Sequence, residues 1–193
     1  MVPPPQVTGL RAITLHGGVN RVPGFVRGGG TATIVQAWRD NGNAHGYLVW
    51  MVLAGHGKGE PAALVEFDGG IRGSSPGDTI GASPFDGERV TGDVRFATAR
   101  IGGKPVSLAI RGDLDEAPSG VIADHATATI RWLELVHRED EIGGAPDAFE
   151  PIGSVRTSKR YCNVDLALRD AAGIPLPRDF AGANRVDGCF PNG

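Results

Sequence analysis

The chain has 193 residues, a net charge of −3 and no block of Lys or Arg, so it lacks the row of cations that displaces counterions from nucleic acid. Its 40% apolar and 21% charged residues are ordinary for a globular protein, and the length suits one domain burying about 70% of its unfolded surface. No apolar stretch approaches the ~20 residues of a membrane-spanning helix, and the chain is read as not membrane-spanning.

The 30 glycines and 14 prolines stand between apolar runs rather than in one tract, as the turns of an antiparallel β protein do. Residues 1–10 read as a disordered or extended arm. The opening Met1-Val2-Pro3-Pro4-Pro5-Gln6 resembles a linker behind a removed leader. That favours a periplasmic or secreted location, with the cytoplasm as the alternative. A first strand is expected near Arg11–Leu15, and 16–30 reads as a loop with a short extended piece at Phe25-Val26.

Thr31 to Arg39 alternates, with Ala32, Ile34 and Trp38 on one face. Asp40-Asn41-Gly42-Asn43 then carries the Asn-Gly signal of a tight turn. The next run, Tyr47-Leu48-Val49-Trp50-Met51-Val52-Leu53-Ala54, has no polar position and lies between Gly46 and Gly55. Its length, valines and aromatics suit a strand. A strand apolar on both faces needs cover on both faces, so it is expected at the centre of the protein, paired with 31–39 as a hairpin.

After a turn at His56–Pro61, a strand is expected from Leu64 to Phe67, and composition assigns 68–88 to a long loop. Val90, Val94 and Phe96 begin a second hairpin, which turns at Gly102-Gly103-Lys104-Pro105 and returns through Val106, Leu108 and Ile110. Ala126 to Arg138 reads as a strand whose apolar phase slips by one near Trp132, as a β-bulge or a strand between two layers requires. The one helix expected is capped at Thr157 or Ser158, stopped by Gly173 and Pro175, and apolar along Tyr161, Val164, Leu168 and Ala171. The fold class predicted is mainly β: an antiparallel β-sandwich or small barrel over 11–155, with a C-terminal α-helix and loop tail over 156–193 packed on it.

Cys162 and Cys189 are 27 positions apart. A disulfide between them would close a loop worth about 3.5 kcal/mol on chain entropy and would fasten the tail to the helix. Gly73-Ser74-Ser75-Pro76-Gly77 matches G-x-S-x-G, with Asp78 and His125 downstream. The nucleophile reading of Ser75 needs a strand-to-helix elbow and an oxyanion-hole N–H. A polar loop precedes it, no helix follows, and Pro76 lacks the N–H, so a plain loop is the better account.

His45 and His56 flank the apolar strand, up to ~36 Å apart when extended, too far for one zinc. His125 and His137 lack HxxxH or CxxC companions and read as solvated loop or strand-end residues, so the sequence assigns no metal ligand and no cofactor. Gly55-His56-Gly57-Lys58-Gly59 breaks the G-x-G-x-x-G pattern at Glu60. Arg111-Gly112-Asp113 reads as a charged turn rather than an adhesion signal.

What remains is a non-enzymatic binding or assembly protein of the cell envelope or secreted space. It would act through loops at one end of the sandwich, chiefly 68–88 and 55–61, on another protein or a small ligand. The alternatives are a hydrolase using Ser75 and a small-ligand carrier whose cavity is lined by Trp38, Trp50 and Trp132.

Overall fold

The computed structural model describes residues 2–40, 46–57, 61–67, 79–82, 90–116, 125–138 and 145–176. In chain order its elements are β1 (Val7–Ala12), β2 (Gly18–Val26), β3 (Gly30–Asp40), β4 (Gly46–Gly55), β5 (Ala63–Leu64), β6 (Glu66–Phe67), β7 (Thr79–Ala82), β8 (Gly92–Ile101), β9 (Lys104–Leu114), β10 (Ala128–His137), β11 (Asp147–Arg156) and the helix α1 (Val164–Ala172). They form two sheets. One has the order β1-β8-β9-β10-β11-β6. The other runs β2-β3-β4, with β5 and β7 both pairing β4. Every pair is antiparallel except β11 with β6. Among the described residues the sheets do not close on one another, and the fold is a β-sandwich with one α-helix.

The expected hairpin is present, with Thr31 opposite Gly55 and Arg39 opposite Tyr47. Its burial corrects one expectation. Trp50, Val52 and Ala54 of β4 are buried, whereas Tyr47 is 36% and Met51 42% exposed on the other face. The β4 sheet is therefore an outer layer, and the doubly covered layer is the six-stranded sheet.

On one side of that sheet Val94, Phe96, Ala109, Leu133 and Phe149 meet Phe25, Ile34, Trp50 and Val52 of the other sheet. Phe96 is central, with ring centroids 6.3, 6.4 and 5.9 Å from those of Phe25, Trp50 and Phe149. On its other side Ala97, Leu108, Ile110, Ile130 and Trp132 meet Ala167 and Leu168 of α1. The two-sided cover explains the apolar pattern of β10. Ala128, Ile130 and Trp132 face the helix while Leu133 and Leu135 face the opposite sheet, with no break in pairing to β9. A register shift does occur at Trp132/Leu133, but the additional residue is Ile152 of β11, between Pro151 and Gly153.

Several elements depart from the sequence reading. Val7–Ala12 pairs with β8, and the Val2 carbonyl accepts from Ser154 N–H at 2.9 Å, so residues 2–12 lie along the sheet. β2 occupies much of the stretch assigned to a loop, with its register shift falling between Pro23 and Val26. β7 lies inside 68–88; the rest of that stretch is outside the described residues. The helix begins later than expected, at Val164. Its cap is Asn163, whose side-chain oxygen accepts from Asp165 N–H at 2.8 Å, and it ends at Gly173 in the left-handed region, φ 69°. Tyr161 instead bridges to Ala126.

A buried charge cluster fixes the first turn of α1 to the sheet. Arg95 pairs with Asp93 at 2.6 Å and with Asp165 at 2.8 Å. Burial pushes the Asp93 carboxyl well above its ordinary range; Arg95 opposes this and neighbouring Asp165 adds to it. Because its folded pKa lies above the unfolded one, Asp93 contributes fully below the ordinary carboxylate range. That contribution is lost as pH rises through the raised value. Asp93→Asn should therefore flatten this part of the stability profile, read from urea midpoints across a pH series. A profile unchanged in shape would contradict it.

Candidate functional site

The site forms where a short segment crosses from one sheet to the other. Leu53 and Ala54 of β4 pair with Leu64 and Ala63 of β5. Val65 is 2% exposed, and Glu66 and Phe67 of β6 then pair with Ala148 and Phe149 of β11. This crossing holds the end of β4 beside the start of β11. His56, the first residue after β4, thus reaches Asp147, the first residue of β11.

His137 arrives from the other direction. It is the last residue of β10 and stands opposite Asp147 in the β10/β11 register. The Arg138 N–H donates to the Pro146 carbonyl at 2.7 Å and closes that end of the ladder. The Arg138 side chain donates to Glu150 at 2.9 Å and Glu66 at 3.0 Å, tying β6 and β11 together under the site.

At the centre, His56 Nε2 lies 2.7 Å from Asp147 Oδ2 and His137 Nδ1 lies 3.0 Å from Asp147 Oδ1. The two imidazole centroids are 4.8 Å apart. The Asp147 side chain is 1% exposed, against 25% for His56 and 30% for His137. A buried carboxyl group needs partners for its polar atoms, and each ring meets it through one nitrogen, whose role depends on the tautomer. As it stands, the trio is a hydrogen-bonded clasp between the sheets.

The same three residues also form a ligand set. One ligand atom from each residue lies within 4.8 Å of the other two. Donors on one ion at about 2.1 Å stand about 3–3.5 Å from each other, so small side-chain shifts would seat a cation between them. Two imidazoles and one carboxylate suit zinc, copper, nickel, cobalt or iron(II), not magnesium or calcium.

Sequence reasoning places His56 in the turn after the apolar strand and His137 at a loop or strand end, but not their meeting, and misses Asp147 altogether. His45, Ser75, Asp78 and Lys58 lie outside the described residues, as does Cys189 and with it the pairing to Cys162. Cys162 itself is buried, 5% exposed. His125 is exposed at the start of the bridge to Tyr161 and stands apart from the trio. The three tryptophans do not line one cavity: Trp50 belongs to the core between the sheets, Trp132 to the core beneath the helix, and Trp38 is 49% exposed. Arg111-Gly112-Asp113 is not a turn but part of β9. Asp113 accepts from Arg111 at 2.9 Å and from Arg131 at 2.7 Å.

Two face-to-face sheets with a helix on the outer side of the larger one place the chain among β-sandwich proteins. No protein-family model matches it, and no curated protein is a detectable relative. Its fold is similar to that in the solved structure titled "Crystal structure of CarG", with a TM-score of 0.66 and 17% identity, covering 87% of this chain and 99% of that one. At that identity the likeness is one of fold alone.

Proposed function

We propose that the protein is a metal-binding protein that works from one end of its β-sandwich, holding a divalent transition-metal ion between His56, His137 and Asp147. The observation carrying this is the convergence of those three side chains from two sheets onto ligand atoms within 4.8 Å of one another. The reading keeps the loop end as the working surface and replaces an unspecified ligand with a chemical class. With it we propose a location outside the cytoplasm, the reading that a disulfide between Cys162 and Cys189 would favour. Cell fractionation tests that half, and recovery in the cytosolic fraction would contradict it.

Calorimetric titration of the purified, chelator-treated protein tests the metal. One zinc ion should bind per chain, with no heat from magnesium or calcium under the same conditions. Losing an outer partner of a metal ligand usually costs 10–100-fold in affinity; losing a ligand itself should cost more, so His56→Gln and His137→Gln should each weaken zinc by at least about 100-fold. Zinc binding unchanged in both variants would remove the site from these residues.

A further inference from the structure

We infer that the protein pairs with a second copy of itself, the outer face of the β2-β3-β4 sheet of one copy packing against the same face of the other.

Strand alternation builds that face. In β4, Trp50, Val52 and Ala54 turn into the core, so Tyr47, Val49, Met51 and Leu53 turn outward. The register carries the face across three strands, with Val19 opposite Val35 and Val35 opposite Met51. In the next outward row Ala37 stands opposite Val49. These rows are apolar, yet Val19 is 60%, Met51 42% and Tyr47 36% exposed in the single chain. Arg21, opposite Thr33, and Arg39, opposite Tyr47, mark the two ends of the face. An apolar centre with charge at its rim is the anatomy of a protein interface.

Shape and size select a second copy as the occupant. Sheets share one hand of twist, and two faces of like twist pack with their strands within about 30° of each other. A second copy brings the matching twist without adjustment, and the apolar rows meet themselves across a two-fold axis. Four strands, β2, β3, β4 and β7, about 4.8 Å apart, and Thr31–Arg39 rising about 3.3 Å per residue give a face of roughly 19 by 30 Å. Two such faces bury roughly 1,100 Å² before side-chain relief is counted, above the ~1,000 Å² of a specific interface. The centre, being valine, alanine and methionine, offers no charge to an anionic partner. A second copy also answers the sequence of β4, whose apolar residues on both faces ask for cover on both.

Sedimentation velocity of the full-length protein, in chelator so that no metal bridges the copies, tests the pairing. At tens of micromolar the wild type should sediment at twice the chain mass. Met51→Glu places a charge at the centre of the interface, twice per dimer by symmetry. Like charges meeting there should weaken association by at least about 100-fold and leave the monomer. Val19→Glu, on the edge strand and 60% exposed, gives the same reading should Met51→Glu fold poorly. Lys104→Glu, exposed at the start of β9 in the other sheet, should remain dimeric. A wild type still monomeric at ~100 µM, far above the dissociation constants of specific interfaces, would overturn the inference. So would a dimer that survives both Met51→Glu and Val19→Glu, or one that Lys104→Glu disrupts equally.

Discussion

Saturating zinc should raise the melting temperature of the wild-type protein by roughly 5–10 °C and leave that of Asp147→Asn unmoved. The size follows from linkage. A ligand present at 100 times its dissociation constant stabilises the folded state by about 2.7 kcal/mol, and in a chain of this length each kcal/mol moves the midpoint by roughly 2–4 °C. The asparagine keeps the shape of the aspartate and one acceptor oxygen. It removes the charge and one of the two oxygens that meet His56 and His137 at 2.7 and 3.0 Å.

The same pair of scans separates metal binding from the clasp. A clasp alone predicts that Asp147→Asn lowers the melting temperature in the absence of metal and that zinc does nothing to either protein. Binding predicts a zinc shift in the wild type only. Acid should abolish that shift, because protons compete with the metal for ligand atoms.

The second large effect lies across the molecule, at Gly112. A Cβ there would come within 2.8 Å of Val164 Cγ2, 3.0 Å of Leu168 Cγ and 3.2 Å of Ile130 Cδ1. The glycine is thus what lets β9 receive α1. Overpacking a filled core costs about 1–3 kcal/mol and occasionally more, so Gly112→Ala should destabilise by that amount and Gly112→Val by more. Hydrogen exchange should show faster exchange in 164–172 than in β3 and β4, because only the helix side of the sheet is disturbed. Uniform loosening, or no loss of stability, would contradict the packing described here.

The parts of the fold legible in the sequence are those where a side-chain period is unbroken and a turn signal is short. The 31–39/47–54 hairpin and the 92–101/104–114 hairpin both qualify. The second is closed by Gly102 and Gly103 at φ 57° and 80°, values glycine tolerates without strain. The strands hidden from sequence are those with glycine or proline inside them. β2 contains Pro23 and Gly24, with Gly24 at φ 73°, and absorbs them in a register shift. β11 contains Pro151 beside its bulge, one of the few places a strand accepts proline.

The apolar run of β4 misled in another way. Its sequence implies cover on both faces, whereas Tyr47 and Met51 remain in solvent, because composition counts apolar residues without saying which face another layer reaches. The site shows the same limit. His56 and Asp147 are 91 positions apart, and only the five-residue crossing from Ala63 to Phe67 brings their strands together. That crossing is too short and too ordinary in composition to announce itself. His137 and Asp147 could be paired on paper only once β11 is known to begin at Asp147.

Diffraction at the zinc absorption edge, from crystals of the chelator-treated protein soaked in zinc, tests the central claim most directly. The account predicts one anomalous peak about 2.1 Å from His56 Nε2, His137 Nδ1 and an Asp147 carboxylate oxygen, missing in Asp147→Asn crystals treated in the same way. No peak between those three side chains, or one elsewhere that survives the substitution, would contradict it.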